Sequence, residues 1–358
     1  MERTLLGHRA RYAGGVQEVA PDTYAWIQPN GGWGESNAGI VAGADAAALI
    51  DTLWDIRLTG QMLAAIDERI AVPIETVVNT HSDGDHVWGN QLLAGAEFVA
   101  TAAAARVIRE ETPEQIARFK ALAGLLRRLA PLPLPVLGRM KLPLLPSLPA
   151  GSLGDYVGAM LEPYDFSGIF VTPPGREFDG ELALTVGGRE LRLIEVGPAH
   201  TPGDLIVHVP DVRVCFAADV LFVGVAPVMW AGPTANWTAA LERILALAPD
   251  VVVPGHGPVS GRAEVELLRD HLEWLDAAAR PLLAAGRSVP DTARELLGSR
   301  EYREAPWARW DAPERIVITL ATIDRHRRGG AAGGVGARER VTLFAQVAAL
   351  AAELPSAL

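Results

Sequence analysis

Four short segments of the sequence concentrate histidine and aspartate side chains of the kinds that bind divalent cations. Their members are, in chain order, His81, Asp83, Asp85 and His86, then His200, then Asp219 and finally His256. Imidazole nitrogens and carboxylate oxygens suit zinc, manganese or iron. Seven such donors are enough for two divalent cations that share a carboxylate. The sequence therefore predicts a site for two divalent metal ions, with zinc expected and manganese or iron as alternatives.

The first segment has the spacing of an extended loop and not that of a helix. Helical metal motifs place two histidines four residues apart, whereas His81 is followed by donors at alternate positions and then by His86. An extended turn can direct His81 and Asp83 to one ion and Asp85 and His86 to another. The later segments would then complete the cluster.

The joint occurrence of these residues carries the metal interpretation, because a lone histidine or aspartate in a loop commonly caps a helix or a turn. Four of the eight histidines fall within the four segments. The others are interpreted as surface or core background, and they are His8, His208, His271 and His326. The concentration of histidine therefore favours one common site.

Predicted strands precede the donor segments and would hold them at one rim of a sheet. Apolar alternation and Gly/Pro punctuation predict strands over 22–28, 38–41, 46–50, 73–79, 97–100, 181–186, 190–196, 205–209, 212–218 and 251–253. Helices are predicted over 53–70, from about 88, and over 102–130, 237–248, 263–285, 313–328 and 339–354. This order of elements predicts an α/β fold.

The amino-acid composition argues against several classes of protein. The 358 residues include 32 lysines and arginines and 43 aspartates and glutamates, so the formal net charge is −11. That balance argues against a nucleic-acid partner, because phosphate backbones are bound by cationic side chains. The single cysteine, Cys215, excludes an internal disulfide and a thiolate zinc site. With no apolar signal segment and no run of 18 apolar residues, a cytoplasmic protein without a transmembrane segment is expected.

Together the four segments resemble the metallo-β-lactamase-fold superfamily. Residues 80–86 are similar to its His-x-His-x-Asp-His signature, 200–203 to its second motif, and 254–257 to its final motif. The resemblance implies an αββα sandwich with the metals at one edge. It also implies a role for each of several residues: His81, Asp83 and His200 in the first metal site, Asp85, His86 and His256 in the second, Asp219 bridging them, and Asp51, Thr80 and Thr201 supporting the donors.

One position departs from the family pattern. Asp83 stands where the family has its second histidine, so an anionic ligand replaces a neutral one. Either both sites are filled and the extra charge is balanced, or the first site is weak. In the second case the enzyme would work with one ion, or with a harder metal such as manganese or iron. The sequence is compatible with both.

Residues 81–90 and 162–168 resemble more narrowly one branch of the superfamily. In that branch the second histidine of the His-x-His-x-Asp-His signature is replaced by another residue. That branch includes the second- and third-ring cyclases of aromatic polyketide assembly, some with thioesterase activity. It implies a metal-dependent enzyme that cyclises an apolar, polyketide-like carbonyl substrate or hydrolyses an ester or thioester. Asp83, Asp85 and Asp204 are the candidates for moving protons. The alternatives are a scaffold that binds metal or ligand without catalysis, and a di-iron redox enzyme.

Large apolar residues near the motifs are candidate walls for such a substrate. Trp33 lies in a glycine-rich loop where the family places a flap over the metals. The other candidates are Trp88, Met160, Phe222 and Trp230, and core packing is the alternative role for each.

The chain is expected to divide into a catalytic domain, 1–262, and a C-terminal helical extension, 263–358. A helical insertion at about 102–172 interrupts the catalytic domain, and its stretch 120–150 is rich in leucine and proline. This stretch is interpreted as a lid over a bulky ligand, a homodimer contact or a membrane-surface patch. The glycine-rich residues 329–336 are predicted to form a flexible linker.

Overall fold

The computed structural model describes residues 3–5, 9–129 and 150–354. The proline-rich part of the insertion, 131–149, lies outside the described residues. The three roles considered for it therefore remain predictions from the sequence.

The first sheet contains seven strands in the described part of the chain, hydrogen-bonded in sequence order. They are β1 (Gly15–Ala20), β2 (Thr23–Ile27), β3 (Ala38–Ala42), β4 (Ala47–Ile50), β5 (Ile74–Val78), β6 (Glu97–Thr101) and β7 (Arg176–Phe178). Strands β1 to β4 pair antiparallel, and β4 to β7 pair parallel. Because parallel neighbours need a crossover, helix α1 (Ile56–Asp67) connects β4 to β5.

The second sheet is formed by the later strands. In the described residues its order is β12 (Val251–His256), β11 (Val214–Phe222), β10 (Leu205–Val209), β9 (Arg189–Glu195) and β8 (Glu181–Val186). Strands β8 to β11 pair antiparallel. Strand β12 joins β11 in parallel after the crossover helix α6 (Thr234–Leu247).

The two sheets pack face to face, and helices cover their outer faces. Residues two apart on a strand, such as Leu205 and Val207, are buried with Ile27 of the other sheet in a shared core. The intervening residues Trp26 and Ile206 face the opposite way and join the core beneath the helices. The predicted α/β fold, an αββα sandwich, is confirmed.

The remaining helices lie mainly in the insertion and the extension. They are α2 (Gly84–Val87) in the first donor segment, α3 (Ala102–Glu110), α4 (Pro113–Leu129) and α5 (Ala150–Leu161) in the insertion, and α7 (Arg262–Ala284), α8 (Val289–Gly298), α9 (Arg300–Glu304), α10 (Ile316–Arg327) and α11 (Ala337–Ala351) in the extension. Helix α11 contacts both α5 and α10. Val335, in the glycine-rich stretch before α11, is buried in the main core. The extension therefore packs on the insertion.

None of the helices described here has both the length and the apolar character to cross a membrane.

Two predicted helices differ from those observed. The helix expected from about residue 88 is replaced by the single turn α2 and a 3-10 turn at Asn90–Leu93. Gly89 lies between them, so close to Thr59 that a side chain would clash. The helix expected over 102–130 is broken before Pro113, because proline disfavours the helical conformation in the residue that precedes it.

Strand β11 is longer than predicted, and the difference affects the site. The sequence places Asp219 just after a strand, whereas the structure continues β11 through Asp219 to Phe222. The reason is parallel pairing with β12, which extends until Phe222 lies opposite His256. The ladder is irregular between Ala218 and Phe222.

Candidate metal centre

The structure brings all seven predicted donors together at a centre that spans both sheets. The first sheet supplies four of them through the segment that follows β5. The second sheet supplies His200 after β9, Asp219 within β11 and His256 at the end of β12. The backbone N–H of Leu205 donates to the carbonyl of Thr80 at 2.9 Å, which ties the first donor segment to the second sheet.

The donors form two groups. Ligand atoms of His81, Asp83 and His200 all lie within 4.8 Å of one another. Within this group, His200 Nε2 is 3.2 Å from Asp83 Oδ2. Ligand atoms of Asp85, His86 and His256 form the second group within the same 4.8 Å limit. Each group therefore presents two imidazoles and one carboxylate.

The Asp219 carboxylate faces members of both groups. Its Oδ2 lies 3.3 Å from His200 Nε2 and 3.4 Å from His256 Nε2. Its Oδ1 lies 3.1 Å from His86 Nε2. One carboxylate between two donor groups is the arrangement that a pair of divalent cations would share.

Hydrogen bonds at Nδ1 set the orientation of three of the four imidazoles. Thr80 Oγ1 gives its only proton to Asp51 Oδ2 at 2.6 Å, so its lone pair accepts from His81 Nδ1 at 2.9 Å. His86 Nδ1 donates to Asp51 Oδ2 at 2.9 Å, and His200 Nδ1 donates to a backbone carbonyl at 2.6 Å. In these tautomers each Nε2 keeps a lone pair toward the centre, as a metal ligand requires.

Several atoms that face the centre are buried without a hydrogen-bond partner among the described residues. They are Nε2 of His81 and His86, and Oδ1 of Asp83 and Asp219. Buried polar atoms are normally paired, because an unpaired one carries a desolvation cost. Cations between these atoms would remove that cost. The donor set therefore fits a dinuclear metal site.

The charges of the cluster also favour cations. Burial lowers the pKa of His200, but Asp219 and Asp83 beside it outweigh burial and raise that pKa to about 9. Burial raises the pKa of Asp219, yet the neighbouring imidazoles outweigh it and hold this pKa well below its usual range. Asp219 is thus ionised over the ordinary pH range, and its charge must be balanced inside the centre.

Asp51, which the family resemblance assigns to supporting the donors, makes hydrogen bonds to the first donor segment. Its Oδ1 accepts the backbone N–H of Thr80 at 2.8 Å, while Oδ2 holds the Thr80 hydroxyl and His86. Asp51 is buried and adopts a left-handed conformation, with φ of 64°. This bend at the end of β4 turns the carboxylate under the segment that follows β5.

The family model described as the metallo-beta-lactamase superfamily matches residues 31–256, well over half of the chain. The chain belongs to the metallo-β-lactamase superfamily. The match ends at His256, the last of the seven donors along the chain.

Two curated relatives are similar to parts of this metallo-β-lactamase-superfamily chain. It is 25% identical over 258 residues to a linear primary-alkylsulfatase from Pseudomonas sp., covering 66% of this chain and 45% of the relative. It is 30% identical over 147 residues to the 2,4-dinitroanisole O-demethylase subunit alpha from Nocardioides sp., covering 37% of this chain and 44% of the relative. The chain thus spans about half the length of the curated relatives it matches.

Solved structures of the superfamily share the fold. The stereoselective inverting sec-alkylsulfatase Pisa1 from Pseudomonas sp. superposes with a TM-score of 0.61 at 18% identity, covering 87% of this chain and 50% of that chain. A metallo-beta-lactamase from Pontibacter korlensis gives a TM-score of 0.51 at 18% identity, covering 72% and 98%. At this identity the likeness concerns the fold.

Asp204 lies outside both donor groups of this superfamily member. Its carboxylate accepts the hydroxyl of Thr201 at 2.6 Å, the backbone N–H of Thr201 at 3.0 Å and the backbone N–H of Ala199 at 3.1 Å. Burial raises the pKa of Asp204 to about 6. These bonds link Asp204 to Thr201 and Ala199 within the loop that carries His200.

Trp33, the predicted flap residue, is fixed by contacts with three other segments. Its Nε1 donates to Tyr156 Oη of α5 at 2.9 Å, and its carbonyl accepts from Tyr164 Oη at 2.6 Å. The Arg315 guanidinium lies 4.2 Å from the centre of its ring, and Phe344 of α11 packs at 5.3 Å between centroids. The flap is therefore clamped by the insertion and the extension.

All four of the other predicted wall residues are buried in the main hydrophobic core, and two of them also contact the donor segments. Phe222 stacks on His256 at 5.2 Å between centroids, so it packs against the donors themselves. Trp230 lies beside the first group, because its N–H donates to the carbonyl of His200 at 2.8 Å. Trp88 and Met160 are buried in the main hydrophobic core.

The surroundings of the centre include residues that were not singled out as site residues from the sequence. They are Tyr156, Glu314, Arg315, Arg340 and Phe344. A charged pair directly after Pro313 was a visible signal for Glu314 and Arg315, both of which are buried. We find no sequence signal that distinguishes Arg340 from the other arginines of the extension.

Proposed function

We propose that this protein is a hydrolase that uses two divalent metal ions to cleave an ester-type bond in a substrate with an apolar body. The observation that carries the proposal is Asp219, whose two carboxylate oxygens face imidazoles of both donor groups. His81, Asp83 and His200 would hold one ion, and Asp85, His86 and His256 the other. Zinc is the expected metal, with manganese or iron as alternatives.

Bound divalent ions supply Lewis-acid polarisation of a substrate oxygen and activation of water. The chain's own residues prepare the centre for this. Asp51 and Thr80 fix the tautomers of His81 and His86, and Phe222 excludes solvent behind His256.

The two donors most exposed to solvent show from which side the centre is accessible. The side chains of Asp83 and Asp85 are 18% and 15% exposed, whereas the four donor imidazoles are at most 6% exposed. A substrate would approach past these two carboxylates, which are the candidates for moving a proton. Asp204 is assigned to holding the His200 loop, because its oxygens are engaged within that loop.

Two kinds of ester-type substrate follow from the sequence and the comparisons. Carboxylic esters and thioesters fit the resemblance to polyketide cyclases with thioesterase activity, and cyclisation of a polyketide-like chain would use the same centre. Sulfate esters are the second candidate, favoured by the similarity to a linear primary-alkylsulfatase.

Metal analysis combined with a substrate panel tests the proposal. The purified protein should contain about two equivalents of metal and hydrolyse an aryl ester, an alkyl thioester or an alkyl sulfate. His256→Ala should lose metal from one group and at least about 100-fold of the activity. His208→Gln, which alters a histidine of β10 outside both groups, is the matched control.

Other outcomes would contradict hydrolysis. Stoichiometric metal without turnover of any ester would favour a binding scaffold, and two equivalents of iron with redox activity would favour a di-iron enzyme. Full activity in His256→Ala would remove the second donor group from catalysis.

A further inference from the structure

A cationic side chain from the C-terminal extension lies beside the candidate metal centre. Arg340, near the start of α11, is half-buried, and its guanidinium carbon is 5.1 Å from the centre of the Trp230 ring. Trp230 in turn donates its backbone N–H to the carbonyl of His200 at 2.8 Å. One aromatic ring therefore separates Arg340 from the loop that carries a donor.

Helix α11 is anchored, so the position of Arg340 is set by packing. One turn after Arg340, Phe344 packs against Trp33 at 5.3 Å and against Trp230 at 6.2 Å between centroids. Near the other end of the helix, Arg294 of α8 makes two hydrogen bonds, of 2.7 and 2.8 Å, to Glu353. The guanidinium is thus presented by a helix that is held at its middle and just beyond its C-terminal end.

Arg340 forms no ion pair with the described residues. In the part of the chain that the structure describes, no carboxylate lies within 4.0 Å of its guanidinium, and its side chain donates no hydrogen bond. Burial raises the pKa of Glu111 to about 7, and the positive charge of Arg340 opposes that rise. Its five N–H donors are therefore not engaged by any described side chain, while the guanidinium lies over the Trp230 ring.

We infer that Arg340 binds an oxyanion of the substrate, a carboxylate or a sulfate, while Trp33, Trp230 and Phe344 contact its apolar body. This inference rests on the proposed function, since it concerns the substrate of the same centre. The net charge of −11 disfavours the binding of an anion in general. The guanidinium of Arg340, held in place by packing, supplies a local positive charge that an anion can bind.

Direct binding to the purified, metal-containing protein tests this inference without relying on turnover. Calorimetric titration with octyl sulfate, octanoate and the neutral octanol separates the head group from the apolar chain. In Arg340→Gln we expect affinity for one of the two anions to fall about 10- to 100-fold, while octanol binding is unchanged. The anion that is affected identifies the head group as sulfate or carboxylate.

The control is Arg338→Gln, which removes an exposed charge two residues earlier on the same helix. It should leave all three affinities at the values of the parent protein. Equal anion affinity in Arg340→Gln and the parent would overturn the inference. An equal loss for octanol and for the anions would also overturn it, because that pattern indicates a structural role.

Turnover of matched substrates separates this inference from the proposed function. Arg340→Gln should raise KM for an anionic ester or alkyl sulfate by a similar factor, with little change for a neutral ester. Anion binding that depends on Arg340 in a protein without hydrolytic activity would contradict only the proposed function. Hydrolysis of an anionic substrate with no dependence on Arg340 would contradict only the inference.

Discussion

The proton on each Nδ1 decides whether an imidazole of this centre can bind a cation. Asp51 controls one such proton directly, at His86, and another through the Thr80 hydroxyl, at His81. A carboxylate suits this role because both of its oxygens accept. An amide of the same size has one acceptor and one donor, so it cannot satisfy all three groups that donate to Asp51.

Asp51→Asn should therefore release metal while preserving the fold. Whichever way the amide lies, its NH₂ faces either the backbone N–H of Thr80 or the pair formed by the Thr80 hydroxyl and His86. We expect metal affinity and activity to fall about 10- to 100-fold. Metal content by elemental analysis and melting temperature by calorimetry check this.

The matched control is Asp179→Asn, which makes the same change at an exposed position. It should keep the parent's metal content. Full metal occupancy and activity in Asp51→Asn would show that the tautomers of the donors are set without Asp51.

The donors could be predicted from the sequence because each lies in a short segment whose residue types have few other uses. The role of Asp204 could not be predicted in the same way. It lies four residues after His200, as a ligand could, but Thr201 and Ala199 of its own loop satisfy its oxygens. Whether a carboxylate is satisfied locally depends on loop geometry, which residue types and spacing do not specify.

At the scale of elements, a short chain of hydrogen bonds joins the flap, the insertion and the extension. Trp33 Nε1 donates to Tyr156 Oη, which donates to Glu314 Oε1 at 2.8 Å. The other oxygen of Glu314 is buried and has no hydrogen bond among the described residues. The Tyr156 hydroxyl is thus the hydrogen-bond partner of both the Trp33 indole N–H and the Glu314 carboxylate.

Tyr156→Phe should lower the free energy of unfolding by about 1–3 kcal/mol, because it leaves the indole N–H and a buried carboxylate without their partner. A loosened flap should also raise KM more than it lowers kcat. Thermal unfolding and steady-state kinetics measure these two effects. Tyr302→Phe removes a hydroxyl for which the described residues show no hydrogen bond, and it should change neither quantity. Equal stability of both variants would mean that the link is not needed.

The strands of the sandwich follow from the sequence, since their apolar alternation is local information. The arrangement of the extension does not. Helix α11 is amphipathic on any reading of 339–354, but its contact with α5 joins residues far apart along the chain. Such a contact depends on which apolar faces remain uncovered after the sandwich has formed.

At the scale of the whole molecule, stability should depend on pH through a histidine that belongs to neither donor group. His271 of α7 is buried among Trp274, Trp307 and Trp310, and burial lowers its pKa to about 3. In the unfolded chain the imidazole of His271 binds a proton near pH 6.5, whereas in the folded chain it stays neutral at that pH. The folded state therefore loses stability as the pH falls from about 6.5 toward 3.

His271→Phe should flatten this dependence. Relative to the parent, the variant should gain about 2 kcal/mol between pH 7 and pH 5, with little difference above pH 7. Urea unfolding at a series of pH values measures the slope, and groups common to both proteins cancel in the comparison. Trp274→Phe changes the same aromatic cage without a titrating group and should keep the parent's slope. Parallel curves for His271→Phe and the parent would contradict the assignment.

The seven donors lie on the two sheets and the loops that follow their strands, whereas several of the residues around them come from the flap, α5 and α11. Under the proposed function, metal binding and substrate contact therefore depend on separate stretches of the chain. A protein engineer could exchange Trp33, Tyr156 or Phe344 to accommodate a new molecule, and the ions would keep their coordination. We expect libraries built at those positions to retain metal stoichiometry while their preferred substrates diverge.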